Sequence, residues 1–222
     1  MPPVRPVPII GFIGQATGLA ALAATTGLGP AGWATGTAYG LVLGVLLAPH
    51  RFGPADWVTL ARALLVGCVA ALTADGFTRP VPVPALVGIA VVALCLDAVD
   101  GQIARRSNTA SPFGARFDME VDAFLILVLS VLVAPDVGWW VLTIGAMRYL
   151  YVAVSWTQPW MRHRLPPRYW RKVVAAIQGI VLAYAAAGLP VAGPALVVAL
   201  ALLVESFGRD VVWLWRHRAR LA

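Results

Sequence analysis

Charge is scarce in this sequence. Only 12% of its 222 residues are Asp, Glu, Lys or Arg, about half of the roughly 25% that a soluble chain carries. A chain so poor in charge cannot cover itself for water, so most of its surface must face lipid. Cysteine is nearly absent: Cys68 and Cys95 are the two, both inside apolar runs. That leaves no disulfide framework and makes small buried thiols the ordinary reading. There are only three histidines, and neither His nor Cys falls among the acidic residues of 97–122, which argues against a zinc site there.

What is abundant is apolar: 60% of residues are hydrophobic and the mean hydropathy is +0.80. A helix needs about 20 mostly apolar residues to span the hydrocarbon core. Eight segments qualify, at 8–26, 32–49, 57–74, 81–100, 115–134, 137–156, 173–189 and 192–208. Turn-forming or polar breaks such as Gly27 to Pro30, His50 to Pro54, Arg105 to Pro112 and Pro159 to Pro167 separate them. No internal repeat is evident.

The net charge of +7 is placed at the ends of these runs. Arg162, His163, Arg164, Arg168, Arg171 and Lys172 share one connection, and Arg216, Arg218 and Arg220 form the C-terminal tail. With the N-terminus cytoplasmic, these clusters and Arg5, Arg51, Arg105 and Arg106 all fall inside. The outer loops 27–31, 75–80, 135–136 and 188–193 then hold only Arg79 as a basic residue. That split follows the positive-inside rule. It points to anionic lipid as the partner of the surplus charge, not nucleic acid. Both termini are expected in the cytoplasm, with the chain multi-pass in the cell membrane. Trp139, Trp140, Trp156, Trp160, Trp170, Trp213 and Trp215 lie near span ends, where indole rings prefer the interface. The first segment also admits a second reading, a secretory signal with Arg5, an apolar stretch and Ala21-Leu22-Ala23 as a small-residue cleavage site. Segments 8–26 and 32–49 are rich in Gly, Ala and Thr and carry no charge before His50, which suits an appended, closely packed helical hairpin.

Asp97, Asp100, Asp118, Glu120 and Asp122 lie within or at the edges of two apolar spans. One carboxylate in such a place is a cap, or snorkels to water. Five together, each costing a few kcal/mol in the membrane, mark a functional site. Asp97 and Asp100 are spaced i, i+3, and Asp118 and Asp122 i, i+4, so each pair lies on one helical face. The short break Ser107 to Pro112 predicts antiparallel neighbours, with both pairs converging at the cytoplasmic end. Hard oxygen donors in that number suit two Mg²⁺ or Mn²⁺ ions, the kind of dinuclear site that clamps phosphoryl oxygens. Gly101 and Gly114 lie on the carboxylate-bearing stretches, where glycine permits close approach. Arg105, beyond the first Asp pair, suits a phosphate.

The run Asp97-Ala-Val-Asp100-Gly101-Gln-Ile-Ala104-Arg105, then eight residues, then Gly114-Ala-Arg-Phe-Asp118-Met-Glu-Val-Asp122 resembles the CDP-alcohol phosphatidyltransferase signature DxxDGxxAR-x8-GxxxDxxxD at every fixed position. Upstream, Asp56-Trp-Val-Thr59-Leu-Ala-Arg62 is similar to the family's NxxTxxR opening, with Asp in place of Asn. The resemblance implies an all-α integral membrane fold. Its six-helix core at 53–208 would follow an N-terminal two-helix hairpin at 1–52 and precede a basic cytoplasmic tail at 209–222. It also implies a homodimer that moves a phosphatidyl group from CDP-diacylglycerol to a small polar alcohol and releases CMP. By position, Asp97, Asp100, Asp118 and Asp122 would be metal ligands, and Asp122 also the general base. Gly101, Ala104, Arg105 and Gly114, with Asp56 and Thr59, would bind the CDP moiety.

The acceptor is left open. Residues 117–124 follow none of the branch-specific continuations of the family, and Asn108-Thr109 is faintly similar to the glycerophosphate branch. Arg148 and the Arg171-Lys172 pair suit a phosphorylated acceptor such as glycerol 3-phosphate, and Arg148 equally suits a structural tie to Glu205. A second class of function is a cation-coupled transporter using the acidic cluster. Transporters favour mid-membrane sites on broken, repeated helices, and CMP binding separates the two readings.

Overall fold

A computed structural model describes the backbone of residues 6–107, 111–163 and 165–221, and the side chains of 7–97, 111–163 and 165–218. Among the described residues there is no strand. The helices are α1 (Pro6–Thr26), α2 (Pro30–Leu47), α3 (Pro54–Gly76), α4 (Val83–Ser107), α5 (Pro112–Val137), α6 (Leu142–Thr157), α7 (Tyr169–Ala186) and α8 (Ala192–Leu221). Short 3-10 turns at Trp139–Val141 and Pro159–Arg162 precede and follow α6. Each of the eight apolar segments thus becomes a helix, and Pro30 and Pro54 sit in the first turns of α2 and α3, where a missing N–H costs nothing. Among the described residues, three stretches, Val7–Thr26, Pro30–Leu47 and Pro54–Gly76, are long and apolar enough to cross a membrane.

The chain forms two units, Met1–Val128 and Leu129–Ala222. In the first, α3 is central: α1, α2 and α4 all pack on it, and Leu60, Ala63, Val66, Val69, Ala71 and Leu72 are buried. Small residues set these distances. A Cβ on Gly18 would lie 2.9 Å from the Cys68 sulfur, and one on Gly67 2.6 Å from Tyr39 and from the Gln15 amide oxygen. The α1–α2 turn places Gly27 at φ +67°, a conformation glycine adopts without strain.

That turn is locked by the far end of α3. Asp75 is fully buried and accepts hydrogen bonds from the N–H groups of Gly29 at 2.5 Å and Gly32 at 2.6 Å. It thereby satisfies the first turn of α2 and meets the positive end of that helix. Arg79 reaches Asp75 at 3.3 Å and donates to the Thr26 carbonyl at 3.0 Å, which closes α1. The lone cation of the expected outer loops is therefore neutralised by a carboxylate one turn away.

In the second unit α7 and α8 pack together. Gln178, fully buried, donates to the Ala199 carbonyl at 2.8 Å. Glu205 is held by Trp170 at 3.0 Å and Arg209 at 2.7 Å. Arg171 pairs with the buried Asp210 at 2.7 Å. Helix α8 runs unbroken through the basic tail to Leu221, because Asp210 and Leu214 turn inward as one buried stripe. Trp139, Trp156 and Trp215 are exposed.

A candidate metal-binding carboxylate site

The N-terminal half of α3 supplies one wall of the site. Asp56, Thr59 and Arg62 recur at i, i+3 and i+6, and all three are buried. Asp56 stands in the first turn, where its Oδ2 accepts the Gly53 N–H at 2.7 Å, a favourable place for an anion. This position asks only for an acceptor, which explains why Asp serves where the related motif has Asn. The other oxygen of Asp56 faces Gly114, and a Cβ at Gly114 would collide with it. At Gly114, α5 thus lies directly against the Asp56 side chain of α3, and the Gly114 N–H is bonded to Ser111 Oγ at 2.8 Å. Thr59 donates to the Ala55 carbonyl at 3.3 Å.

Asp97 from α4 and Asp118 and Asp122 from α5 meet in front of Arg62. One carboxylate oxygen from each lies within 4.8 Å of the others. Asp118 and Asp122 share a helix face, as their spacing requires. Their side chains remain partly accessible, at 39% and 32%, while Asp97 is at 45%. Glu120 is exposed and is no part of this group. The side chains of Asp100, Gly101, Ala104 and Arg105 lie outside the described residues.

Arg62 closes the NxxTxxR-like opening, but the motif alone assigned it no role in the site. Its side chain is only 1% exposed. Nη1 bridges Asp97, at 3.0 Å, and Asp118, and Nη2 holds Asp122. The signal for it was available: Arg62 is the only basic residue in the apolar segment 57–74, and an intramembrane cation calls for a partner. Aromatic rings from the α2–α3 connection and from α5 also pack together. His50 stacks on Phe113 with centroids 3.8 Å apart, and Phe52 lies 6.0 Å from both Phe113 and Phe117.

The donor set fits a hard divalent cation. It is all carboxylate, and an octahedral Mg²⁺ with bonds of about 2.1 Å holds adjacent oxygens about 3.0 Å and opposite ones about 4.2 Å apart. Oxygens within 4.8 Å of one another would therefore close in by up to about 2 Å to share one ion. A guanidinium already drawn to the same oxygens shows that the pocket attracts positive charge.

A family model for CDP-alcohol phosphatidyltransferase matches residues 53–205. No curated protein and no solved structure matches the chain.

Proposed function

This chain belongs to the CDP-alcohol phosphatidyltransferase family, and from that premise we propose that it moves the phosphatidyl group of CDP-diacylglycerol onto a small polar alcohol. Family membership makes it a membrane transferase of phospholipid synthesis. The observation that carries the finer reading is the convergence of Asp97, Asp118 and Asp122 at the fixed positions of the signature, inside the matched segment. Asp100 would complete a four-carboxylate set for two Mg²⁺ or Mn²⁺ ions. Such ions would neutralise the donor diphosphate.

The protein's own groups have the remaining work. Gly114 keeps the approach between α3 and α5 narrow, and with Gly101, Ala104, Arg105, Asp56 and Thr59 it would shape the CDP pocket. Asp122, which keeps part of its side chain accessible, would take the proton of the acceptor hydroxyl as that oxygen attacks the phosphatidyl phosphorus. The phosphorus–oxygen bond to CMP breaks and CMP leaves with the electron pair. Positioning and charge neutralisation are most of what this transfer asks of a protein. The buried Asp75–Arg79 clamp and the charge split along the chain support a cytoplasmic site, with both termini on that side of the cell membrane, and a homodimer is the expected assembly.

CMP release from CDP-diacylglycerol by the purified protein tests this reading. Turnover is expected only with Mg²⁺ or Mn²⁺ and one member of a panel holding glycerol 3-phosphate, inositol phosphate, inositol, serine and phosphatidylglycerol. Undiminished turnover in excess chelator would refute the metal assignment, and no CMP release with any alcohol would refute the donor.

A further inference from the structure

The most unusual group in the first unit is the Arg62 guanidinium. It is all but excluded from solvent at 1% exposure, and its α3 neighbours Leu60, Ala63 and Val66 are buried too. It cannot swing out to water without disturbing the packing of the central helix. Among the described residues its two terminal nitrogens engage three carboxylates from two other helices, Asp97 on α4 and Asp118 and Asp122 on α5. In each case the acceptor is the Oδ1 atom. Those three residues are also the group whose oxygens converge closely enough for a cation. A guanidinium and a divalent ion therefore draw on the same small set of oxygens.

We propose that Arg62 is the resident counter-cation of the carboxylate cluster, holding Asp97, Asp118 and Asp122 together when no metal is bound and lowering the site's affinity for divalent ions by competing with them. The inference rests on the metal reading given under Proposed function and adds the residue that sets metal affinity. Two physical effects act in the same direction. Three carboxylates packed together repel one another unless a cation lies among them, so the metal-free protein needs Arg62. An entering ion must then break some of the guanidinium contacts and remain beside a fixed positive charge, which opposes binding. Arg62 is a positioning residue in this scheme. It touches the carboxylates, and nothing requires it to touch the reacting atoms.

The two halves of the proposal predict opposite shifts for one substitution. In Arg62→Gln, shape is roughly kept and charge is lost. Mn²⁺ binding to the detergent-purified full chain, measured by calorimetry and by electron paramagnetic resonance of free Mn²⁺, is expected to tighten at least tenfold. The metal-free variant should melt below the metal-free wild type, and saturating Mn²⁺ should narrow that gap. The Mn²⁺ concentration giving half-maximal CMP release should fall with the dissociation constant. A residue with a merely structural role would lower the melting temperature without tightening metal binding. Arg62→Lys keeps the charge but, as a point cation, spans fewer carboxylates at once. It is expected at an intermediate affinity, at least threefold tighter than wild type, and it serves as the test if Arg62→Gln does not fold. Equal or weaker Mn²⁺ binding in the folded variant, beside clear binding to wild type, overturns the competition and leaves the metal reading intact. Absence of saturable Mn²⁺ binding to wild type and variants alike overturns both.

Discussion

Cutting Asp75 back to a methyl group, Asp75→Ala, probes how the first two helices are held to α3. The carboxylate is fully buried and takes two short amide hydrogen bonds, 2.5 Å from Gly29 and 2.6 Å from Gly32, besides the 3.3 Å contact with Arg79. Hydrogen bonds to a charged acceptor contribute about 1.5–3 kcal/mol each in water-soluble proteins, so the two amides alone suggest about 3–6 kcal/mol. Polar contacts within membrane proteins measure lower, averaging about 0.6 and reaching about 1.7 kcal/mol. Since Asp75 stands at a helix end, we expect about 3 kcal/mol, which at roughly 2–4 °C per kcal/mol for a chain of this size lowers the melting temperature by about 6–12 °C. The assay is thermal unfolding in detergent, followed by fluorescence-detected gel filtration. Asp75→Asn keeps one acceptor oxygen and is expected to lose about half as much. Arg62 and Asp75 are about 20 Å apart along α3, so turnover per folded molecule should be unchanged below the transition. A melting temperature for Asp75→Ala within about 2 °C of wild type would refute the clamp, because two contacts of even the membrane-protein average would shift it by more than about 2 °C.

Three other outcomes are expected. Asp97→Ala and Asp118→Ala should each abolish CMP release while the protein still inserts, since removing an acid from an apolar helix eases insertion; loss of expression instead would recast them as structural. Asp122→Asn should bind donor and metal yet turn over at least about a hundredfold more slowly, while the exposed Glu120→Gln keeps most activity; comparable losses in the two would mean that Asp122 is not the sole base. Gly67→Leu, whose Cβ would lie 2.6 Å from Gln15 and Tyr39, should destabilise the packing of the hairpin on α3, which the same thermal assay reads; an unchanged melting temperature would show that this contact yields freely.

What could be read from the sequence follows from the range over which each signal acts. Helix existence depends on local hydropathy and on proline and glycine punctuation, and all eight apolar segments formed helices. Their ends were less legible. α3 extends past the expected outer boundary to Gly76 because Asp75 is taken up by amides 43 and 46 residues earlier in the chain, a pairing that no local pattern announces. Likewise the basic tail reads as a solvated segment, yet its Asp210 meets Arg171 across 39 residues and carries α8 onward.

The carboxylates were legible for a different reason. An acid in an apolar run is costly enough to announce itself, and fixed i, i+3 and i, i+4 spacings say which acids share a face. Spacing cannot say what neutralises them. Arg62 stood in view as the only cation of its segment, but its partners lie 56 and 60 residues away on α5. The pairing follows only when charge is balanced across helices. Asp97, Asp118 and Asp122 need positive charge at all times, whereas a divalent ion is present only when bound. A cation fixed in the fold meets the need in the interval. The two ends of α3 answer the same requirement in parallel ways: Asp75 with Arg79 at one end, and Arg62 with three carboxylates at the other. The apolar turns between them let the helix cross lipid. By this logic the site's metal affinity depends as much on α3, which supplies no ligand to the cluster, as on the helices that carry the carboxylates.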